Sequence, residues 1–159
     1  MPAGDATGRI IHVKGSHAGL TWPLSEQMRH FDLAHVLNSV VADSIAPERV
    51  GGIDVHHAGL WECDLADNSL IWSGGVFDLF GLDRSCRITR EQALAHYSDE
   101  SRTRLERVRG DAIRNRRGFT LEVEIRAAAV GQVRHLRLIG VPVYSGETPV
   151  RVHGLKLLI

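Results

Sequence analysis

The sequence predicts an α+β fold in which two short strands come first, helices occupy the middle and three strands close the chain. Three observations carry this. Residues Gly59–Leu65 set Trp61, Cys63 and Leu65 on one side of an extended segment against Glu62 and Asp64 on the other. Phe119, Leu121, Val123 and Ile125 alternate in the same way with Thr120, Glu122, Glu124 and Arg126, as a half-buried antiparallel strand should. Between them, Ser101–Arg117 repeats Leu105, Val108, Ala112 and Ile113 at helical spacing.

Residues 1–22 are rich in glycine and small side chains. One β-prone run, Arg9-Ile10-Ile11-His12-Val13, makes them either a flexible segment or a short added strand. From Pro23 the pattern changes. Leu24, Met28 and Phe31, then Leu33, Leu37, Val40 and Val41, recur every three or four residues, which predicts an amphipathic helical extension over 23–50. Asp32 is placed to cap a second segment, and Pro47 bars a clean continuation. After Gly51-Gly52 a single domain is expected over 54–159.

Within that domain, Gly59–Leu65 and Leu70-Ile71-Trp72 read as a hairpin turning at Asp67-Asn68. Val76, Phe77, Leu79 and Phe80 form a short helix that Gly81 closes. Helical spacing resumes at Thr89, and the long helix Ser101–Arg117 has Gly118 just beyond it. The strands Phe119–Arg126, Val133–Tyr144 and Val150–Ile159 follow, joined by turns at Ala128–Gln132 and Ser145–Pro149, each short enough for a hairpin.

The 159 residues suit one domain with an extension rather than two independent cores. Nineteen basic residues balance nineteen acidic ones, so no global field draws the chain to nucleic acid or acidic membranes. Cys63 and Cys86 lack metal-ligand spacing and are too few for a disulfide scaffold, which favours a reducing, cytoplasmic setting. The first residues lack the basic-then-apolar order of a signal peptide. No apolar run approaches the roughly 20 residues of a membrane helix, so no membrane partner is expected.

The element order and several ordered motifs resemble a PAS domain, in the subclass that opens with a Gly-x-Trp-x-x-Asp-Leu strand. Here that strand is Gly59-Leu60-Trp61-Glu62-Cys63-Asp64-Leu65. Ile71-Trp72-Ser73 and Leu79-Phe80-Gly81-Leu82 resemble the family's Trp-Ser and Leu-Phe-Gly-Leu elements. Phe119–Val123 resembles its strand with an acidic centre, and Val133–Arg137 and Gly140-Val141-Pro142-Val143 resemble its Val-Arg-Trp-Leu-Arg and Gly-x-Pro-Val elements. The resemblance covers about residues 54–158. It implies a five-stranded antiparallel sheet with helices on one face, an interior pocket for a small ligand, and a non-catalytic role in sensing through protein–protein contact. Trp61, Cys63, Trp72, Phe77, Phe80, Leu121, Val123, Leu136 and Leu138 are the candidate pocket walls. Helices preceding such cores often pair with a second copy, so Leu24, Met28, Phe31, Leu33, Leu37, Val40 and Val41 are the candidate interface of a homodimer. A separate signalling protein, such as a histidine kinase or regulator, is the expected further partner.

Departures from the family pattern carry information. His96-Tyr97-Ser98-Asp99 stands where His-Pro-Asp-Asp is usual, and His135 replaces a tryptophan. Leu157-Leu158-Ile159 replaces the Asp-Ile-Thr that usually leads into an effector, which leaves the choice between a stand-alone module and a piece of a larger protein.

No cofactor is assigned. Ser85-Cys86-Arg87-Ile88-Thr89 lacks the Asn, Phe, Leu and Gln of the flavin-binding motif, and Ser101–Arg117 holds no histidine for haem, so both groups are disfavoured. His56 and His57 point to opposite faces of an extended strand and cannot chelate one ion together, so no metal is expected. No nucleophile pattern stands out, and no catalytic residue is assigned. Two further readings stay open: a nucleic-acid-contacting regulator using Arg102, Arg104, Arg107, Arg109, Arg114, Arg116 and Arg117, and a small NTF2-like enzyme needing a buried acid–base dyad.

Overall fold

The structure, a computed structural model, describes residues 20–31, 49–50, 53–129 and 131–159; for 49–50 and 53–56 the backbone alone is described. The strands are β1 (Thr21–Pro23), β2 (Arg49–Val50), β3 (Ile53–Asp64), β4 (Leu70–Trp72), β5 (Arg117–Arg126), β6 (Val133–Ser145) and β7 (Thr148–Leu158). The helices are α1 (Gly74–Phe80), α2 (Arg90–Leu94) and α3 (Asp99–Arg114). All strand pairs are antiparallel, in the order β1-β5-β6-β7-β3-β2, with β4 also paired to β3. The expected five-stranded sheet, β5-β6-β7-β3-β4, is therefore present, and β1 and β2 lengthen it with pieces of the preceding segment.

The period-two pattern sorts the sheet into two apolar faces. Phe119, Leu121, Val123 and Ile125 of β5, Leu136 and Leu138 of β6, and Val152 of β7 form the inner core with Trp61, Cys63 and Trp72, beneath the three helices. Ile139, Val141, Leu155 and Leu157 face the other side, where Trp22, Leu24 and Phe31 cover them. One lysine, Lys156, shares the inner face, since its register partners are Leu138 on β6 and Gly59 on β3.

Local chemistry explains the helix ends. Gly81 closes α1 at φ +67°, a left-handed conformation that glycine adopts at little cost. Thr89 and Gln92 cap α2 reciprocally, each side chain bonding the other's backbone N–H. Ser98 Oγ accepts from Ser101 N at 3.2 Å, so α3 starts at Asp99, two residues before the periodic run predicts.

Two sequence expectations need correction. The extension over 23–50 is not helical throughout: Pro23 ends β1, Leu24–Glu26 is a 3-10 turn that runs into a helix, and Arg49–Val50 is strand. The pairing of Thr21–Pro23 with Arg117–Phe119 recruits this segment to the sheet edge. The long helix stops at Arg114 rather than Arg117, and Arg116 takes the left-handed turn at φ +52°. Gly118 then lies in β5, where a Cβ would come within 2.2 Å of the Trp22 ring, so its small size serves the outer face. Glu106 has Arg102 and Arg109 at helical spacing on its own helix. It pairs instead with Arg90 of α2, tying the two helices together.

Candidate functional site

Between the helices and the inner sheet face lies a small cavity of about 50 Å³. β3 gives Trp61 and Cys63, β4 gives Leu70 and Trp72, and the α2 segment gives Arg90, Ala93, Leu94 and Tyr97. Leu105 and Arg109 of α3, Leu138 of β6 and Lys156 of β7 complete the wall. At Leu70, Trp72, Arg90 and Leu94 the cavity meets an open surface groove of about 1020 Å³.

Gly59 of the motif strand has a direct part in shaping this region. A Cβ there would lie 2.5 Å from Val76 N, so only glycine lets α1 settle against the strand that carries Trp61. The counterpart is Gly75, whose Cβ would fall 1.9 Å from Ala58 O.

Lys156 dominates the electrostatics. It is 6% exposed, and its Nζ lies 4.9 Å from the ring centres of Trp72 and Phe80, 5.5 Å from Trp61 and 5.8 Å from Tyr97. Ring faces attract an ammonium within about 6 Å, yet none replaces the water it has lost. Burial lowers its pKa from 10.5 to about 7; the nearby Cys63 opposes that shift and Arg90 adds to it. Arg109 reaches inward to donate to Cys63 Sγ at 3.8 Å, and burial, reinforced by Arg90, likewise works against its charge. The Tyr97 phenol is buried, which raises its pKa and keeps it protonated. The indole N–H groups of Trp61 and Trp72 are buried without a partner. Among the described residues the wall thus carries donors and positive charge and no carboxylate.

Of the predicted pocket residues, Trp61, Cys63, Trp72 and Leu138 line this cavity. Phe77 faces the groove instead, and Phe80, Leu121, Val123 and Leu136 are buried in the core around it. Lys156, Arg90, Tyr97 and Arg109 were missed by sequence reasoning. For Lys156 a signal exists: the chain holds 19 Lys and Arg residues, of which only Lys14 and Lys156 are lysine. Lys156 also shares the inward parity of Val152 in a closing apolar strand. No pattern marks Arg109, because it sits among arginines that face solvent.

Of the predicted interface residues, Leu24 and Phe31 lie on the chain's own outer sheet face and Met28 is 72% exposed. Leu33, Leu37, Val40 and Val41 fall outside the described residues. Trp22 stacks on His30 at 3.8 Å and donates from Nε1 to Thr120 Oγ1 at 3.1 Å, and Phe31 stacks on His153, which anchors the segment.

The arginine cluster is largely spent within the fold. Arg102 pairs with Asp99 and Arg114 with Asp111, Arg109 turns inward, Arg116 bonds Gly146 O over the Tyr144 ring, and Arg117 binds Thr21. Cys63 is buried and Cys86 exposed, both as free thiols. Among the described residues no group of three or more His, Cys, Asp or Glu is placed to hold a metal ion, and no helix is long and apolar enough to cross a membrane.

This architecture recurs in solved structures. An RNA-binding light-oxygen-voltage receptor matches at 14% identity and a TM-score of 0.56, over 64% of this chain and 29% of that one. A sensory box histidine kinase/response regulator from Burkholderia thailandensis matches at 18% identity and 0.56, over 65% of this chain and 78% of that one. The PAS domain of a protein from Colwellia psychrerythraea matches at 18% and 0.54, over 65% and 86%. The chain has the PAS fold. It spans 29% of the light-oxygen-voltage receptor's length. No protein-family model and no curated protein matches the sequence.

Proposed function

We propose that this chain is a non-catalytic sensory module that seats a small ligand in the cavity over its inner sheet face and signals by protein–protein contact. The observation that carries this reading is a cavity at the heart of a PAS fold whose wall leaves two buried indole N–H groups without partners. Residues 54–159 form the sensing domain and residues 23–50 the extension through which two copies associate. The relay passes to a separate signalling protein, such as a histidine kinase or regulator, in the cytoplasm. An acid–base enzyme of the NTF2-like kind finds less support, because the buried Asp, Glu or His that such a dyad is expected to use is not among the described residues of this wall. A nucleic-acid role finds less as well, since at least five of the seven arginines it needs bond within the chain.

Native mass spectrometry of the freshly purified full chain, with an absorption spectrum, tests the reading. A dimer that retains a small molecule is expected, and Met28→Asp, at an exposed position, should shift it toward monomer with the fold intact. A colourless, ligand-free monomer at high concentration refutes the proposal.

A further inference from the structure

The chemistry of the cavity wall points to a class of ligand, an inference that rests on the sensory reading above. Lys156 offers three N–H donors, Trp61 and Trp72 one each, and Arg109 a guanidinium fork. The side-chain acceptors on the same wall are the Tyr97 hydroxyl and the Cys63 sulfur, and Arg109 already donates to that sulfur. A water molecule satisfies donors only while finding acceptors for its own two hydrogens, and this wall has few to give. An anion donates nothing, so it matches a wall of donors. It also compensates buried positive charge: Arg90 has Glu106, but among the described residues no carboxylate pairs with Lys156 or Arg109.

We propose that the cavity is a receptor site for a small carboxylate, whose oxygens accept from Lys156 Nζ and from the unpartnered indoles of Trp61 and Trp72 while its carbon end lies against the rings.

Size and polarity set the limits. A cavity of about 50 Å³ has room for a head group of only a few non-hydrogen atoms. The seat therefore fits a formate- or acetate-sized head. Leu70, Trp72 and Leu94 border both the seat and the groove, so the tail of a longer acid would run past them toward Ile71, Phe77 and Ile88. The aromatic lining favours a carboxylate with an apolar tail over a hydrated inorganic anion.

Protons follow the ligand. The groups that face Lys156 are Cys63 from β3, Arg90 from α2, Tyr97 from the turn after α2 and Arg109 from α3. The arginines stay charged, and the Tyr97 phenol stays protonated through the neutral range. Lys156 is the group that changes state there, with a pKa lowered to about 7. The ammonium form binds the carboxylate, so affinity should weaken about tenfold from pH 6 to pH 8.

Tryptophan fluorescence of the full chain at constant chloride concentration reads binding directly, because Trp61 and Trp72 flank the seat. Saturable responses to formate, acetate and butyrate are expected, with acetamide, the uncharged isostere, at least tenfold weaker. Lys156→Met should abolish the response, and its unfolding curve shows that the fold survives. Trp72→Phe keeps the ring, loses one N–H and should weaken acetate severalfold. Acetate binding equally to wild type and Lys156→Met, or acetamide binding as well as acetate, overturns the carboxylate assignment. If native mass spectrometry at the same time shows a retained uncharged ligand, the sensory reading stands without it. A flat titration with every probe, from a protein that retains nothing, overturns both.

Discussion

Replacing Lys156 by methionine should make the protein more stable at neutral pH and abolish one defined part of its pH dependence. The ammonium is 6% exposed, and its pKa falls from 10.5 to about 7 on folding. Below pH 7 both folded and unfolded chains carry the proton and the full cost of burying it is present. Between pH 7 and 10.5 the unfolded chain holds the proton and the folded chain gives it up, so stability rises with pH. At 1.36 kcal/mol per pKa unit, the penalty is about 4 kcal/mol at pH 7 and a little over 1 kcal/mol at pH 9.5, a gain of about 3 kcal/mol. Methionine has similar length and an apolar, adaptable side chain, and a buried charge without a carboxylate partner is often replaced by an apolar residue at no loss. The assay is urea unfolding followed by tryptophan fluorescence at steps from pH 7 to 9.5, below the range where the Tyr97 phenol intervenes. With a slope of about 2 kcal/mol per molar, wild type should gain about 1.5 M in midpoint relative to Lys156→Met across this window. Taking the difference between the two proteins cancels the titrating groups that are not coupled to Lys156. Parallel curves, or a variant less stable than wild type at pH 7, would mean that Lys156 is not a buried uncompensated charge.

Three further outcomes follow from particular contacts. Gly75→Ala drives a Cβ to 1.9 Å from Ala58 O, a backbone atom held in the sheet, and should cost about 3 kcal/mol or more by thermal melting; Gly131→Ala meets nothing within 4 Å and should cost only the roughly 1–2 kcal/mol of its left-handed backbone. Ser101 Oγ accepts from Glu124 N at 2.8 Å and ties α3 to β5; Ser101→Ala leaves a half-buried N–H unpaired and should lower unfolding free energy by about 1–3 kcal/mol. His153 stacks with Phe31, and burial, followed by Arg151, lowers its pKa below 6.5 against the opposing pull of Glu62. Its contribution to stability is complete above pH 6.5 and is lost as pH falls through the folded value. Amide exchange over 20–31, corrected for intrinsic rates, should therefore quicken at pH 5.5 relative to 7.5, and not in His153→Asn.

Much of the fold was legible because its signals are local. The alternation of Phe119–Arg126 depends only on which side of a strand meets water, and the helix caps at Gly81 and Thr89 depend on residues within one turn. Those patterns, read with the motifs Gly59-Leu60-Trp61 and Leu79-Phe80-Gly81, were enough for an α+β fold resembling a PAS domain. The edges were harder. Thr21–Pro23 carries no strand pattern long enough to read and becomes a strand by pairing with Arg117–Phe119, far along the chain, while Arg49–Val50 is too short to read although its partners, Ile53 and Asp54, are close in sequence. Gly118 looked like a helix terminus because the ring of Trp22 that requires it is 96 residues away in sequence.

The candidate site shows the same division more sharply. By itself the sequence determined which side chains are apolar and at what period they recur, and so placed Trp61, Cys63, Trp72 and Leu138 in the interior. Only the tertiary structure decided which of those interior residues border empty space. It also decided that Lys156, Arg109 and Tyr97 join them, and that among the described residues no carboxylate does. Periodicity reports how a residue faces its own sheet or helix. The electrostatics of a cavity depend on what four strands and two helices bring to one point, and no local pattern records that sum.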